Sequence, residues 1–237
     1  MSPKARMIEV RQNVLKQNDI VARSLRQRFQ DAGVFVVSLV SSPGAGKTEL
    51  LERTLTLLQK QFHVAALVGD LATENDAVRL ARSQAPVKQI VTGTVCDLEA
   101  AMVQSALDGW NLDEMSFLFI ENVGNLVCPS SYDLGEDLRL VLMSVTEGED
   151  KPLKYPTIFN SADVAAITKI DLAAAVEFNA LAANRSIQAV RPGMIVFEVS
   201  AKSGEGMEEL LDFLRSRRAA ARGVATPKGA SAFAAPD

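Results

Sequence analysis

Short apolar runs alternate with longer amphipathic stretches along most of the chain. Val34 to Val40 is apolar at every position except Ser38 and rich in β-branched residues, the pattern of a strand buried on both faces. Lys47 to Lys60 then places Leu50, Leu51, Leu55 and Leu58 on one helical face, and His63 to Val68 reads as a second strand. Strand, loop, helix and strand make one βαβ unit. The alternation continues with a helix near 75–82, a strand at 87–91, a helix at 98–107, and strands at 116–120 and 138–145. Further on come a strand at 164–168, a helix at 173–190, a strand at 194–199 and a helix at 207–218. A mostly parallel sheet between two helical layers accounts for this order, with functional loops at the carboxyl ends of the strands.

Upstream, Met7, Val10, Val14, Ile20, Val21, Leu25 and Phe29 recur among charges at roughly helical spacing, which predicts one or two amphipathic helices over residues 1–32. Residues 33–218 then form the α/β domain, and 219–237, rich in Ala, Gly, Pro and Ser without periodicity, read as a disordered tail. No apolar run is long enough to span a membrane, and the charges scattered over residues 1–30 do not fit a signal peptide, so a cytoplasmic protein is expected. With 25 Lys and Arg against 29 Asp and Glu, a net charge of −4 supplies no global field for nucleic acid or anionic lipid.

The first strand runs into Ser41-Ser42-Pro43-Gly44-Ala45-Gly46-Lys47-Thr48-Glu49, where successive backbone N–H groups and a helix N-terminus can face a phosphate chain. Gly44 and Gly46 permit backbone angles and close approaches that a Cβ obstructs. Lys47 is placed to reach the β- and γ-phosphates and Thr48 to bind Mg²⁺. The general pattern has Gly where this chain has Ser41.

The base is read elsewhere. Thr168-Lys169-Ile170-Asp171 and Ser200-Ala201-Lys202 each follow a strand. A carboxylate in the base plane accepts from both N1–H and the 2-amino group of guanine, a donor pair adenine lacks. Asp171 is the candidate, with Lys169 packing across the base and the Ala201 N–H donating to O6. Asp70 and Glu121, each closing an apolar strand, are candidates to hold Mg²⁺ directly or through water, and Gly124 to give its N–H to the γ-phosphate. The bland alternative for both carboxylates is a helix cap or a solvated loop.

Carrying SSPGAGKTELLE, GDLATENDA, GTVCDLEAAM, IENVGNLVCPSSYDLGE, EDKPLKYP and TKIDL, the chain resembles the SIMIBI-class GTPases over residues 5–217, and within them the nickel-incorporation GTPases of nickel–iron hydrogenase maturation. Ser41 is normal there. The resemblance implies a slow GTPase of three-layer P-loop fold that forms a homodimer, binds Ni²⁺ or Zn²⁺, and works with a HypA-type nickel chaperone to load the hydrogenase large subunit. It also implies a metal site at the dimer interface, beside the nucleotide switch, for which Cys96 and Cys128 are the candidates, and a nucleotide contact across the dimer from Lys154. As residues alone, the cysteines read equally as small buried side chains; in a reducing compartment they are expected as free thiols or metal ligands.

The chain departs from this pattern at two places. Cys96 is followed by Asp97 where these GTPases usually have His. Asp97 can ligate through oxygen or cap the following helix, and both readings stand. The chain begins MSPKARMIEV, without a Cys-rich or His-rich tract, and its only histidine is His63, so nickel storage is not expected. Three other readings stay open: a urease accessory GTPase, for which Cys128-Pro129-Ser130 lacks the expected histidine; a metal carrier with vestigial nucleotide binding; and an ATP-dependent small-molecule kinase.

Overall fold

The computed structural model describes residues 3–70, 75–93 and 95–223, with the side chains of 3–12 and 75 left aside. Seven strands form one sheet: β1 (Phe35–Ser41), β2 (Val64–Asp70), β3 (Val87–Val91), β4 (Phe117–Glu121), β5 (Leu138–Ser144), β6 (Val164–Thr168) and β7 (Ile195–Val199), in the order β3-β2-β4-β1-β5-β6-β7. Every pairing is parallel, so the sheet is wholly rather than mostly parallel. Because β1 lies between β4 and β5, the chain moves outward on opposite sides of β1 in its two halves, and a crevice opens at the carboxyl end of that strand.

Strand side chains alternate between faces, and the core divides accordingly. Phe35, Val37 and Leu39 pack with Leu50, Leu51 and Leu55 of α2 (Lys47–Leu58) and with Leu210, Leu211 and Leu214 of α8 (Met207–Arg222). Val34 and Val36 instead meet Ala22, Leu25 and Phe29 of α1 (Pro3–Asp31) and Val103 of α4 (Ala100–Ala106). A third cluster joins Val141 and Met143 to Ile158 and Phe159 of α6 (Pro156–Ser161) and to Ala183 and Ile187 of α7 (Ala180–Val190). Single helix α1 is therefore part of the same core, not an appended segment.

Most strand bounds fall within two residues of the sequence reading, and the helical segments differ more. Helix α8 runs on to Arg222, past the expected end at 218, because Ala219 is buried and Arg222 ion-pairs with Asp137 at 2.7 Å. The tail is thereby shortened, and residues 224–237 lie outside the described residues. Helix α7 begins at Ala180 rather than 173, since Asn179 caps it by accepting from the Ala182 N–H at 2.9 Å. Helix α4 starts at Ala100 rather than 98. The 151–156 segment is not a loop but α5 (Lys151–Lys154) followed by α6. With α3 (Asn75–Leu80), these complete the α-helices of the described residues.

Candidate functional site

The phosphate loop leaves β1 and enters α2 as its sequence requires. Gly44 and Gly46 have φ of +77° and +90°, angles that favour glycine, and Gly46 occupies the N-cap of α2, so the first amides of the helix point into the crevice. Lys47 is buried, with only 8% of its surface exposed, and its Nζ donates to Ser41 Oγ at 3.1 Å. Burial pulls its pKa below the ordinary lysine value, against the opposing pull of Glu121. A buried ammonium of this kind is a seat for an anion. The surrounding cleft has a volume of about 500 Å³ and includes Gly44, Thr48, Glu49, Asp70, Glu121 and Gly124.

Glu121 is the electrostatic centre of the cleft. It is 2% exposed, accepts from Thr48 Oγ1 at 2.7 Å through Oε1, and leaves Oε2 buried with no hydrogen-bond partner among the described residues. Burial pushes its pKa up to about 7, although Lys47 and the Thr48 hydrogen bond favour the charged form. Neither a helix cap nor a solvated loop describes this carboxylate. Gly124 lies against the phosphate loop: an added Cβ would stand 3.0 Å from Pro43 Cα and 3.1 Å from its nitrogen.

A second hollow, of about 340 Å³, continues the first across Gly46, Glu49 and Lys169. Its walls include Thr168, Asp171, Ser200, Ala201 and Lys202. Ser200 Oγ donates to Asp171 Oδ1 at 2.7 Å and Thr168 Oγ1 to the Ala45 carbonyl at 2.6 Å, tying the loops after β6 and β7 to each other and to the phosphate loop. Lys169 adopts a left-handed backbone, φ +61°, and its Nζ donates to the Gly44 carbonyl at 2.6 Å. The lysine thus bridges the two hollows along the line a nucleotide would take.

The cysteines come together within one chain. Cys96 follows β3 and Cys128 opens the 3-10 turn Cys128–Ser131 after β4, and the two are joined as a disulfide with Cα atoms 6.4 Å apart. The expectation of free thiols is corrected on this point, and the physical reason is proximity: loops close enough to share an ion are close enough for the sulfurs to bond. Asp97 stands with them. Its ligand oxygen and both sulfurs lie within 4.8 Å of one another, it is 4% exposed, and Oδ2 has no partner among the described residues. Burial, reinforced by Glu99, raises its pKa to about 6. The helix-cap alternative fails, because the N-cap of α4 is Glu99. Two sulfurs and one unpartnered oxygen form a donor set suited to a borderline divalent ion once the thiols are reduced.

Several residues at the site escaped the sequence reading. Asp76 and Arg79 on α3 line the phosphate cleft. Ser42 donates to Glu147, which also pairs with Lys151, whose Nζ lies 3.0 Å from Ser42 Oγ; Ser144 and Glu147 form a capping box around the same turn. Lys151, not Lys154, thus touches the phosphate loop of its own chain, whereas Lys154 stands exposed in an ion pair with Asp150 at 2.7 Å. His63 sits at the amino end of β2, near the Glu114 carbonyl at 2.8 Å, far from the crevice in strand position.

Comparison with known proteins agrees with this geometry. Residues 35–198 match the family model described as CobW/HypB/UreG, nucleotide-binding domain. The hydrogenase maturation factor HypB of Azotobacter vinelandii is 46% identical over 214 residues, covering 90% of this chain and 71% of that one. HypB of Escherichia coli K12 is 44% identical over 215 residues, 91% and 74% of the two chains. The crystal structure of HypB from Helicobacter pylori in complex with nickel superposes with a TM-score of 0.81 at 40% identity, covering 85% of this chain and 95% of that one. That of the hydrogenase maturation factor HypB from Archaeoglobus fulgidus gives 0.80 at 36% identity, covering 86% and 99%. A wholly parallel sheet, a phosphate loop at its crevice and near-complete alignment lead to one conclusion: the chain belongs to the CobW/HypB/UreG nucleotide-binding family, among the HypB hydrogenase maturation factors.

Proposed function

We propose that this protein hydrolyses GTP as a metal-coupled switch in nickel insertion during hydrogenase maturation, with nickel as its cargo. The observation that carries the reading is the continuity of Glu121 to Cys128: seven residues lead from the most buried carboxylate of the phosphate cleft to one sulfur of the Cys96–Cys128 pair. The Helicobacter pylori relative was solved with nickel, and its curated counterpart is a hydrogenase/urease maturation factor.

The phosphate-loop amides and Lys47 hold the β- and γ-phosphates, Asp171 accepts from guanine, and Lys169 covers the base. Thr48, Asp70 and Glu121 would hold Mg²⁺: the donor set is all oxygen, and the unpartnered Glu121 Oε2 suits a hard cation. Bound there, the ion neutralises charge on the phosphates. Gly124 is placed to meet the γ-phosphate and to move when it leaves. Cys96, Asp97 and Cys128, reduced, take Ni²⁺ or Zn²⁺. Val91 and Val127, 66% and 64% exposed, flank the cysteine loops and offer an apolar rim to a second copy of the chain. A HypA-type chaperone and the hydrogenase large subunit are the partners this role requires.

Size-exclusion chromatography with light scattering tests the reading, run under reductant with GDP or a nonhydrolysable GTP analogue, with and without Ni²⁺, and with Cys96→Ala as control. A dimer favoured by the GTP analogue and Ni²⁺, and weakened in the control, is expected. Absence of any binding heat for guanosine nucleotides in magnesium buffer sinks the proposal. Metal delivery unaltered by Lys47→Ala favours the simple carrier instead.

A further inference from the structure

The segment between Glu121 and Cys128 carries two asparagines whose side chains reach out of the nucleotide site. Asn122 is 2% exposed, and its own N–H donates to the Leu39 carbonyl of β1 at 3.0 Å. Its Oδ1 accepts twice, from the Val123 N–H at 2.9 Å and from the Leu98 N–H at 3.0 Å. Leu98 lies two residues beyond Cys96. The side chain immediately after Glu121 therefore holds the backbone of the first cysteine loop.

Asn125 holds the same loop from the other side and ties it to the second. Its Nδ2 donates to the Cys96 carbonyl at 3.3 Å, while its Oδ1 accepts from the Val127 N–H at 2.8 Å, one residue before Cys128. Between the two lies Gly124, packed so closely against Pro43 of the phosphate loop that an added Cβ would stand 3.0 Å from Pro43 Cα and force one of the two loops to give. Gly124 thus stands between two side chains bonded to the backbones that carry Cys96 and Cys128, a short path along which its movement would reach both.

We infer that Asn122 and Asn125 are positioning residues that link nucleotide state to the spacing of the two cysteines. The inference rests on the proposed metal-coupled switch and specifies its moving part. Neither amide lines the phosphate cleft or belongs to the Cys96, Asp97 and Cys128 donor set; each acts through the loops it holds. The link is reciprocal by thermodynamic necessity: if the GTP-bound arrangement favours one spacing of the sulfurs, an ion demanding that spacing favours GTP.

The test is Ni²⁺ affinity of the reduced full chain, measured by competition with a chromophoric chelator in the presence of GDP and of a nonhydrolysable GTP analogue. Coupling between two sites is commonly about 5- to 150-fold, and the wild type is expected to show a ratio in that range. Asn122→Ala should bring the ratio within about 2-fold of unity, while Asn122→Asp, which keeps an acceptor oxygen at the same place, should retain most of it. Such rescue is not expected of a residue that merely fills space. Asn125→Ala, at a more exposed position, should also lower the ratio, and it decides the matter alone if Asn122→Ala does not fold. A wild type without any ratio overturns the switch reading and this inference together. A wild-type ratio that persists in the Ala variants overturns this inference only.

Discussion

Glu121 offers a case in which the site should cost stability in a calculable way. Its carboxyl is raised from an ordinary 4.5 to about 7, with burial outweighing the attraction of Lys47 and the Thr48 hydrogen bond. At about 1.4 kcal/mol for each tenfold change in proton affinity, this corresponds to roughly 3 kcal/mol between pH 4.5 and 8. The sign follows from which state holds the proton more tightly. The folded chain does, so the stability from this proton is complete below pH 4.5 and is lost as the pH rises through 7. Glu121→Gln never ionises and keeps an oxygen to accept from Thr48. Without nucleotide or magnesium, the variant should therefore be more stable than the wild type by about 3 kcal/mol at pH 8, the difference shrinking to about 1 kcal/mol at pH 5. Urea unfolding at both pH values measures it. The same variant should lose most of the magnesium dependence of nucleotide binding, since the ionised form is the one a cation needs. A stability difference that stays constant with pH, or a wild type more stable at pH 8, refutes the reasoning.

Two further substitutions address the nucleotide site. Asp171→Asn replaces the acceptor held by Ser200 Oγ; losing two charge-assisted hydrogen bonds, about 1.5–3 kcal/mol each, should lower GTP affinity by roughly 10²-fold or more and move preference toward XTP, as competition binding would read. Gly124→Ala sets a Cβ 3.0 Å from Pro43 Cα, backbone that cannot rotate away. An overpacking cost of about 1–3 kcal/mol is expected in thermal melts, together with a fall in fluorescent guanine-nucleotide affinity of about 10-fold or more from the same strain, and unchanged melting and affinity would show that the loops yield freely.

How far the sequence could be read depended on where the deciding contacts lie. Strands β3 and β6 occupy the positions expected of them: Val164–Thr168 is buried throughout, and Val87–Val91, at the sheet edge with only Ile90 buried, is marked by its β-branched residues. The 151–156 segment misled for a physical reason: Pro152 and Pro156 read as breakers, but each stands in the first turn of a short helix, where the missing N–H costs nothing. Asp76 lies within the GDLATENDA stretch and Arg79 just beyond it, but only the packing of α3 beside the crevice brings both to the wall of the phosphate cleft. Asp97 reads equally as cap or ligand in sequence, and the start of α4 at Ala100, capped by Glu99, removes the first role. Asn122 and Asn125 sit inside a stretch whose resemblance was plain, yet their partners, Leu98 and Cys96, are 24 and 29 residues away.

Those separations explain why the two sites adjoin. Strand β4 is hydrogen-bonded to β1 on one side and to β2 on the other, with β3 next beyond β2. The carboxyl end of β4 therefore faces the phosphate loop leaving β1 and lies near the loop leaving β3, which carries Cys96. One segment can serve both only because the strand order places it between them, and it must be short, since slack would let either end move alone. Seven residues, two of them asparagines bonded to the neighbouring loop and one a glycine pressed on Pro43, leave little slack. A nucleotide shifts such an element only by the difference in its affinity for the two arrangements. The contact that differs with the γ-phosphate, at Gly124 under the proposed role, thus sets the ceiling on how strongly GTP can alter nickel affinity.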